Sequence, residues 1–205
     1  MSKSRQLRSS LLLALGPVAV LAGACSSSPT TPVATVVVAR GGVTCHNITG
    51  SLTFSPSLTT KGGAAETTSI TVNAAGCGTS GSNVSRVIKG VGTATLTSTS
   101  NSCAGLLNSR PLTIDIAWTP ATVHPSIVTF TGYGGASGPS GGEGFTLPKS
   151  GATAKVTGSF AGSDHGAGST ATAFSGQTTT QLLTACESSA GLTSIAVTSG
   201  SVTLK

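Results

Sequence analysis

Leu112-Thr113-Ile114-Asp115-Ile116-Ala117-Trp118 is the stretch that decides the fold. Large apolar residues occupy every second position, and smaller or polar residues fall between them. Successive side chains of a strand point to opposite faces, so this period of two predicts a strand with one buried face. We expect Leu112, Ile114, Ile116 and Trp118 to face the core and Asp115 to face away from it.

Similar stretches rich in Thr and Val occur on both sides of this strand. Their branched side chains suit a pleated surface, and Gly- and Ser-rich turns separate them. They lie at 33–43, 48–56, 68–74, 84–99, 127–131, 144–148, 152–160, 170–180, 192–197 and 201–204. Roughly nine or ten short strands predict an all-β chain folded as an antiparallel β-sandwich, Ig-like or jelly-roll-like. A β-barrel is the alternative.

Four local details complete the predicted fold. Gly90 and Gly92 suggest a β-bulge in the strand that contains them. The Gly-rich stretch 132–144 predicts a loop, and a turn at Ser199-Gly200 predicts that the last two strands form a hairpin. No stretch has a helical period, so no helix is predicted.

The five cysteines are Cys25, Cys45, Cys77, Cys103 and Cys186. Cys45 and Cys77 are equidistant from Lys61, which begins the predicted turn Lys61-Gly62-Gly63. In an antiparallel hairpin centred there the two cysteines face each other, which favours a Cys45–Cys77 disulfide and leaves Cys103 to pair with Cys186. Each bond would stabilise the fold by about 3–5 kcal/mol. A metal site is the rival, but there is no Cys-x-x-Cys spacing and His46 is the only adjacent candidate ligand.

The N-terminus has the pattern of a secretory signal peptide. Lys3, Arg5 and Arg8 form a basic region, and residues 9–24 contain no charge. This apolar run is too short to span a bilayer comfortably and ends in small residues, so we assign residues 1–24 to a cleaved signal peptide.

Leu21-Ala22-Gly23-Ala24-Cys25 resembles the lipobox of bacterial lipoprotein precursors, although the branched residue stands four places before the cysteine, not three. The resemblance implies that the sulfur of Cys25 is diacylglycerylated and that Cys25 becomes the new N-terminus. If Cys25 carries the lipid, four cysteines remain, and this even number can form two disulfides in an oxidising compartment. Ala22-Gly23-Ala24 fits ordinary signal peptidase as well, in which case the protein is secreted. Residues 25–32, rich in Ser, Pro and Thr, then form a tether, and residues 33–205 form a single β-rich domain.

Charge and composition exclude nucleic acid as a partner. Charged residues make up 8% of the chain, and three of its eleven Lys and Arg residues lie in the signal peptide. The others are scattered rather than gathered into a stripe that could follow phosphates. They are Arg40, Lys61, Arg86, Lys89, Arg110, Lys149, Lys155 and Lys205.

No catalytic, metal or cofactor site is predicted. Gly138-Pro139-Ser140-Gly141-Gly142 matches the G-x-S-x-G string of a nucleophile elbow, but it lacks the preceding strand and following helix that the elbow needs. His46, His124 and His165 are far apart, and no carboxylates form a cluster. The carboxylates are Glu66, Asp115, Glu143, Asp164 and Glu187.

The body of the chain, with Thr44-Cys45-His46-Asn47-Ile48-Thr49-Gly50-Ser51-Leu52-Thr53-Phe54-Ser55-Pro56-Ser57-Leu58 and the later Cys77, resembles a set of uncharacterised secreted proteins of actinobacteria. That group implies no activity. We therefore expect a non-catalytic domain of the cell envelope, held on the extracytoplasmic face of the membrane by an N-terminal lipid. Its role would be structural or would be to bind an envelope protein or cell-wall component. An exported hydrolase with an unidentified site is the alternative.

The lipid assignment predicts that the N-terminal peptide of the mature protein begins at Cys25 and carries the mass of a diacylglyceryl group. Replacing this cysteine (Cys25→Ser) should release the protein into the medium, because no thioether can form. Mass spectrometry of the N-terminal peptide checks the assignment. An unmodified Cys25 or Ser26 terminus would contradict it.

Overall fold

The structure, a computed structural model, describes residues 34–84, 86–138 and 141–205. Within them it contains eleven strands, a 3-10 helix and an α-helix. The strands are β1 Gly42–Leu58, β2 Glu66–Ser80, β3 Lys89–Ser98, β4 Leu112–Thr119, β5 Ser126–Phe130, β6 Gly134–Ser137, β7 Glu143–Leu147, β8 Ala154–Gly158, β9 Thr170–Phe174, β10 Leu192–Val197 and β11 Ser199–Leu204. The 3-10 helix is Cys103–Leu107, and α1 is Thr179–Glu187.

All eleven strands belong to one antiparallel sheet, with the order β6-β7-β9-β11-β1-β2-β3-β4-β5-β8 and with β10 also paired to β1. In the described chain the end strands β6 and β8 are not paired with each other, so the sheet is not closed into a barrel. Strands far apart in this order, such as β5 with Phe130 and β7 with Leu147, contribute to one buried cluster. The sheet therefore folds over on itself, and the predicted all-β antiparallel sandwich is confirmed.

Strand β4 buries the face that its sequence predicts. Leu112, Ile116 and Trp118 are buried, and Asp115 is exposed. The Trp118 ring meets Phe160 edge to face, with ring centroids 5.2 Å apart. Its Nε1 donates a hydrogen bond to Oγ of Ser126 at 2.8 Å, so the one polar atom of the indole is satisfied inside the core.

Gly90 makes room for this tryptophan, and Gly92 makes room for Val72 and Ile114; the two glycines do not form the predicted bulge. The register of β3 with β4 runs without a shift from Lys89 opposite Thr119 to Thr93 opposite Asp115. A Cβ atom at residue 90 would lie 2.8 Å from Cζ3 of Trp118. The bulge prediction was wrong because a glycine in a strand can also mark the close approach of a neighbouring side chain.

The hairpin of β1 and β2 has the register that the cysteine spacing predicts. Cys45 lies directly opposite Cys77, and the pairing continues without a shift to Ser55 opposite Thr67. The two disulfides of the structure are Cys45–Cys77 and Cys103–Cys186. The second one joins the 3-10 helix to α1, two elements that the sheet does not hold by ladder hydrogen bonds.

The predicted C-terminal hairpin is wrong. Strands β10 and β11 lie one after the other along the same edge of β1, with Val197 opposite Gly50 and Val202 opposite Cys45. Around Ser199-Gly200 the chain stays extended and pairs with β9, where Gly200 lies opposite Ala173. Pairing with β1 and β9 replaces the short-range hairpin.

Two further predictions were wrong. The Gly-rich stretch 132–144 contains β6, which pairs with β7. Stretch 170–180 divides into β9 and the start of α1. Thr178 caps α1 by accepting a hydrogen bond from the amide of Gln181, while the Gln181 side chain accepts one from the amide of Thr178. This capping box starts a helix although the residues before it have strand propensity.

The face assignment of β4 predicts a contrast between two substitutions. Trp118→Ala should lower the free energy of unfolding by about 3–5 kcal/mol because it leaves a large cavity. Asp115→Asn, on the exposed face, should change it by less than about 0.5 kcal/mol. Urea denaturation followed by circular dichroism measures both, and a larger loss for Asp115→Asn would contradict the assignment.

Candidate functional site

An apolar cavity of about 120 Å³ lies between the folded halves of the sheet. Aliphatic and aromatic side chains from both halves make up most of its wall. The lining residues include Ile48, Leu52, Ile70, Val72, Leu96, Leu112, Ile114, Ile116, Trp118, Phe130, Phe145, Leu147, Val197, Val202 and Leu204. A concave apolar site with a few polar groups is the usual character of a small-molecule binding site.

Small residues of β9 on the inner face leave this volume unfilled. Strand β9 contributes Ala171 and Ala173 to the wall, and β3 contributes Gly92. A Cβ atom at Gly92 would lie 2.9 Å from Cγ2 of Val72, so even an alanine there would crowd the wall. At the Ala positions of β9, by contrast, a larger aliphatic side chain would project into the space that the cavity occupies.

Few polar residues border the cavity. Thr172 and Ser201 alternate with the inward-facing Ala171, Ala173 and Val202, and their hydroxyl oxygens lie 3.2 Å apart on the outer face of the sheet. Among the lining residues that the structure describes, Arg110 alone is charged. It is half-buried, and its Nη1 donates a hydrogen bond to the carbonyl oxygen of Thr97 at 2.6 Å near the protein surface. Arg110 therefore marks the rim of the cavity and puts positive charge there.

A buried carboxylate adjoins the same wall. Glu66, at the start of β2, is only 3% exposed. Thr68, two residues further on the same inner face, lines the cavity and donates a hydrogen bond from Oγ1 to Oε1 of Glu66 at 2.7 Å. A buried carboxylate is costly unless hydrogen-bond donors replace the water that it loses, and Thr68 supplies one such donor.

A second cavity, of about 130 Å³, lies beside α1. Leu106 and Phe145 line both cavities, so these two side chains form part of the partition between them. At the second cavity Thr179 donates a hydrogen bond from its hydroxyl to the carboxylate of Glu143. The disulfide Cys103–Cys186 forms another part of the wall.

The histidines and carboxylates singled out in the sequence are not brought together. His46, His124 and His165 are exposed, as are Asp115, Asp164 and Glu187. In the part of the chain that the structure describes, no group of three His, Cys, Asp or Glu side chains is placed to hold a metal ion. Cys25, the predicted signal peptide and the predicted tether lie outside the described residues, as do Pro139 and Ser140 of the G-x-S-x-G string.

Sequence reasoning missed the cavity and the buried Glu66. One signal for the carboxylate was present, because Glu66 falls in phase with Thr68 and Ile70 on the inner face of β2. Comparison with known proteins finds no matching family model, no matching curated protein and no matching solved structure. The described helices include none with the length and apolar character needed to cross a membrane.

The Glu66–Thr68 bond predicts that Thr68→Val is costly although the two side chains have the same shape. Loss of the hydroxyl leaves the buried carboxylate without this donor, and the free energy of unfolding should fall by about 1.5–3 kcal/mol. Thr67→Val, on the opposite face of β2, is the control and should change it by less than about 0.5 kcal/mol. Equal effects in denaturant melts would show that the bond contributes nothing.

Proposed function

We propose that this chain is an exported, lipid-anchored domain of the cell envelope that binds a small apolar molecule in the cavity of its sheet, without catalysing a reaction on it. The observation that carries the proposal is the cavity itself. Its wall is apolar except for a few groups, and the charge of Arg110 stands at its rim. Such groups orient a ligand, while the apolar surface supplies the affinity.

The size of the cavity indicates the size of the ligand. An engineered apolar cavity of about 150 Å³ in another protein stays dry and binds benzene or xenon. A cavity of about 120 Å³ fits a ligand of similar size, such as one small ring or a short branched alkyl group. Drug-sized ligands occupy pockets of about 300–1,000 Å³, so they are too large for this site.

Two features support export. The sequence 1–24 has the pattern of a signal peptide, and Cys25 follows it in a lipobox-like context. Both disulfides belong to the β-domain, and such bonds persist in oxidising compartments. According to this proposal, the lipid holds the domain at the extracytoplasmic face of the membrane, where the domain meets small apolar molecules.

Thermal melts in the presence of benzene test the binding. Ligand that binds the folded state alone raises stability by about 2.7 kcal/mol at a hundred times its dissociation constant, so the melting temperature should rise with ligand concentration. The variant Ala173→Leu should fill the cavity and abolish the rise. Ala117→Leu makes the same change on the exposed face of β4 and should preserve it.

Chemical-shift changes in the methyl groups of Ile114 and Val128, which line the cavity, locate the bound ligand. If benzene raises the melting temperature of none of the three proteins, the ligand proposal is wrong. If Ala173→Leu binds as well as the unmodified protein, the ligand lies elsewhere and the cavity is not the site.

A further inference from the structure

Four large apolar side chains are exposed near the turn that follows β4. Val36 is 55% exposed, Val37 39%, Val38 50% and Ile88 46%. We call these four residues the apolar patch. Single exposed apolar residues are common on proteins, but a contiguous group of them is typical of a surface that contacts another molecule.

Backbone hydrogen bonds bring the patch together. Val37 donates from its amide to the carbonyl of Thr122 at 2.7 Å, and His124 donates back to the carbonyl of Val37 at 2.8 Å. Ile88 donates to the carbonyl of Thr119 at 3.0 Å. Thr119 ends β4, and Thr122 lies in the turn that follows it, which the bond from the amide of Val123 to the carbonyl of Pro120 closes. The two apolar segments are thus fastened to the same short piece of chain.

The Asn83 side chain fixes the valine segment from the other side. Its Oδ1 accepts a hydrogen bond from the amide of Arg40 at 2.7 Å, and its Nδ2 donates to the carbonyl of Val38 at 3.3 Å. Ala39, between these residues, is only 1% exposed and anchors the segment in the core. The backbone of the valine segment is therefore fixed on the protein surface by these contacts.

Positively charged residues lie next to the patch in the sequence. Arg40, Arg86 and Lys89 are exposed and lie in the same two segments as the apolar side chains. Residues 34–65 and 67–114 contain no Asp or Glu. Apolar side chains interleaved with cations fit an anionic lipid surface, where the apolar groups enter the boundary of the acyl chains and the cations meet phosphates.

We propose that the apolar patch, with Arg40, Arg86 and Lys89, is a docking surface for an anionic lipid membrane. The valine segment follows the tether directly, and only eleven positions separate Val36 from Cys25. Even a fully extended chain of that length spans no more than about 40 Å. An anchor at Cys25, which belongs to the proposed function, would keep this face near the bilayer, whereas the composition of the patch does not depend on the anchor.

Co-sedimentation with vesicles tests the surface, using the mature chain from residue 25 with Cys25→Ser so that neither the predicted signal peptide nor a lipid contributes. The probe is vesicles of equal parts phosphatidylglycerol and phosphatidylcholine, with pure phosphatidylcholine as the uncharged comparison. The protein should bind the anionic vesicles, and salt should weaken the binding. Lys89→Gln should lower the partition coefficient about fivefold, the factor that corresponds to one cation near an anionic surface.

Matched variants distinguish binding through the apolar patch from nonspecific adsorption to vesicles. The triple variant Val36→Ser, Val38→Ser and Ile88→Ser should lose most of the binding. Ile127→Ser should retain it, because Ile127 is 45% exposed but lies on the outer face of β5 opposite Asp115. Lys155→Gln, an exposed cation on β8, is the control for Lys89→Gln. Thermal melts confirm that each variant is folded.

Three outcomes would overturn the proposal. The first is equal binding of the triple variant and Ile127→Ser, and the second is equal binding to charged and uncharged vesicles. The third is no vesicle binding, with self-association in analytical ultracentrifugation that the triple variant abolishes, since the patch would then join two copies of the chain. Failure of the lipid anchor is a separate result, seen as an unmodified N-terminal peptide in mass spectrometry.

Discussion

The pairing of β1 on both of its edges is the constraint on which the rest of the structure depends. This strand pairs with β2 along one edge and with β11 and β10 in succession along the other. A slip of one residue in either ladder would turn its inward side chains, such as Ile48 and Phe54, to the outside. The Cys45–Cys77 disulfide prevents a slip against β2 because the two cysteines are directly opposite. With β1 in register, the two halves of the sheet extend outward from it and fold over a common core.

The sizes of side chains that face each other inside the fold determine both the stability of the core and the position of the cavity. Trp118 occupies the space over Gly90, so the largest side chain of the core depends on the smallest residue opposite it. Further along the inner face no such partner exists, because Ala171 and Ala173 lie where large residues would be needed to fill the space. A void lined by apolar atoms reduces stability, since the lining atoms lose dispersion contacts. A binding site is one reason for a fold to retain such a void.

The parts of the fold that could be predicted depend on local pattern. The faces of β4 follow from alternation within seven residues, and the β1–β2 register follows from two cysteines placed symmetrically about a turn. The predicted C-terminal hairpin failed because its two strands gain more hydrogen bonds from β1 and β9 than from each other. The helix α1 was missed although Thr178 and Gln181 have the spacing of a capping box. The cavity could not be predicted, because its wall combines side chains from strands that meet only in the folded chain.

The Cys103–Cys186 disulfide compensates for a small second core. Besides the main cluster, a second group of buried side chains contains Phe54, Leu58, Leu192, Ile195 and Cys186. Burial of so few apolar groups offsets little of the conformational entropy that is lost when the 3-10 helix and α1 become ordered. A bond across 83 positions removes much of that entropy from the unfolded chain. Because the same two elements form part of the wall of the second cavity, the disulfide also fixes the shape of that side of the domain.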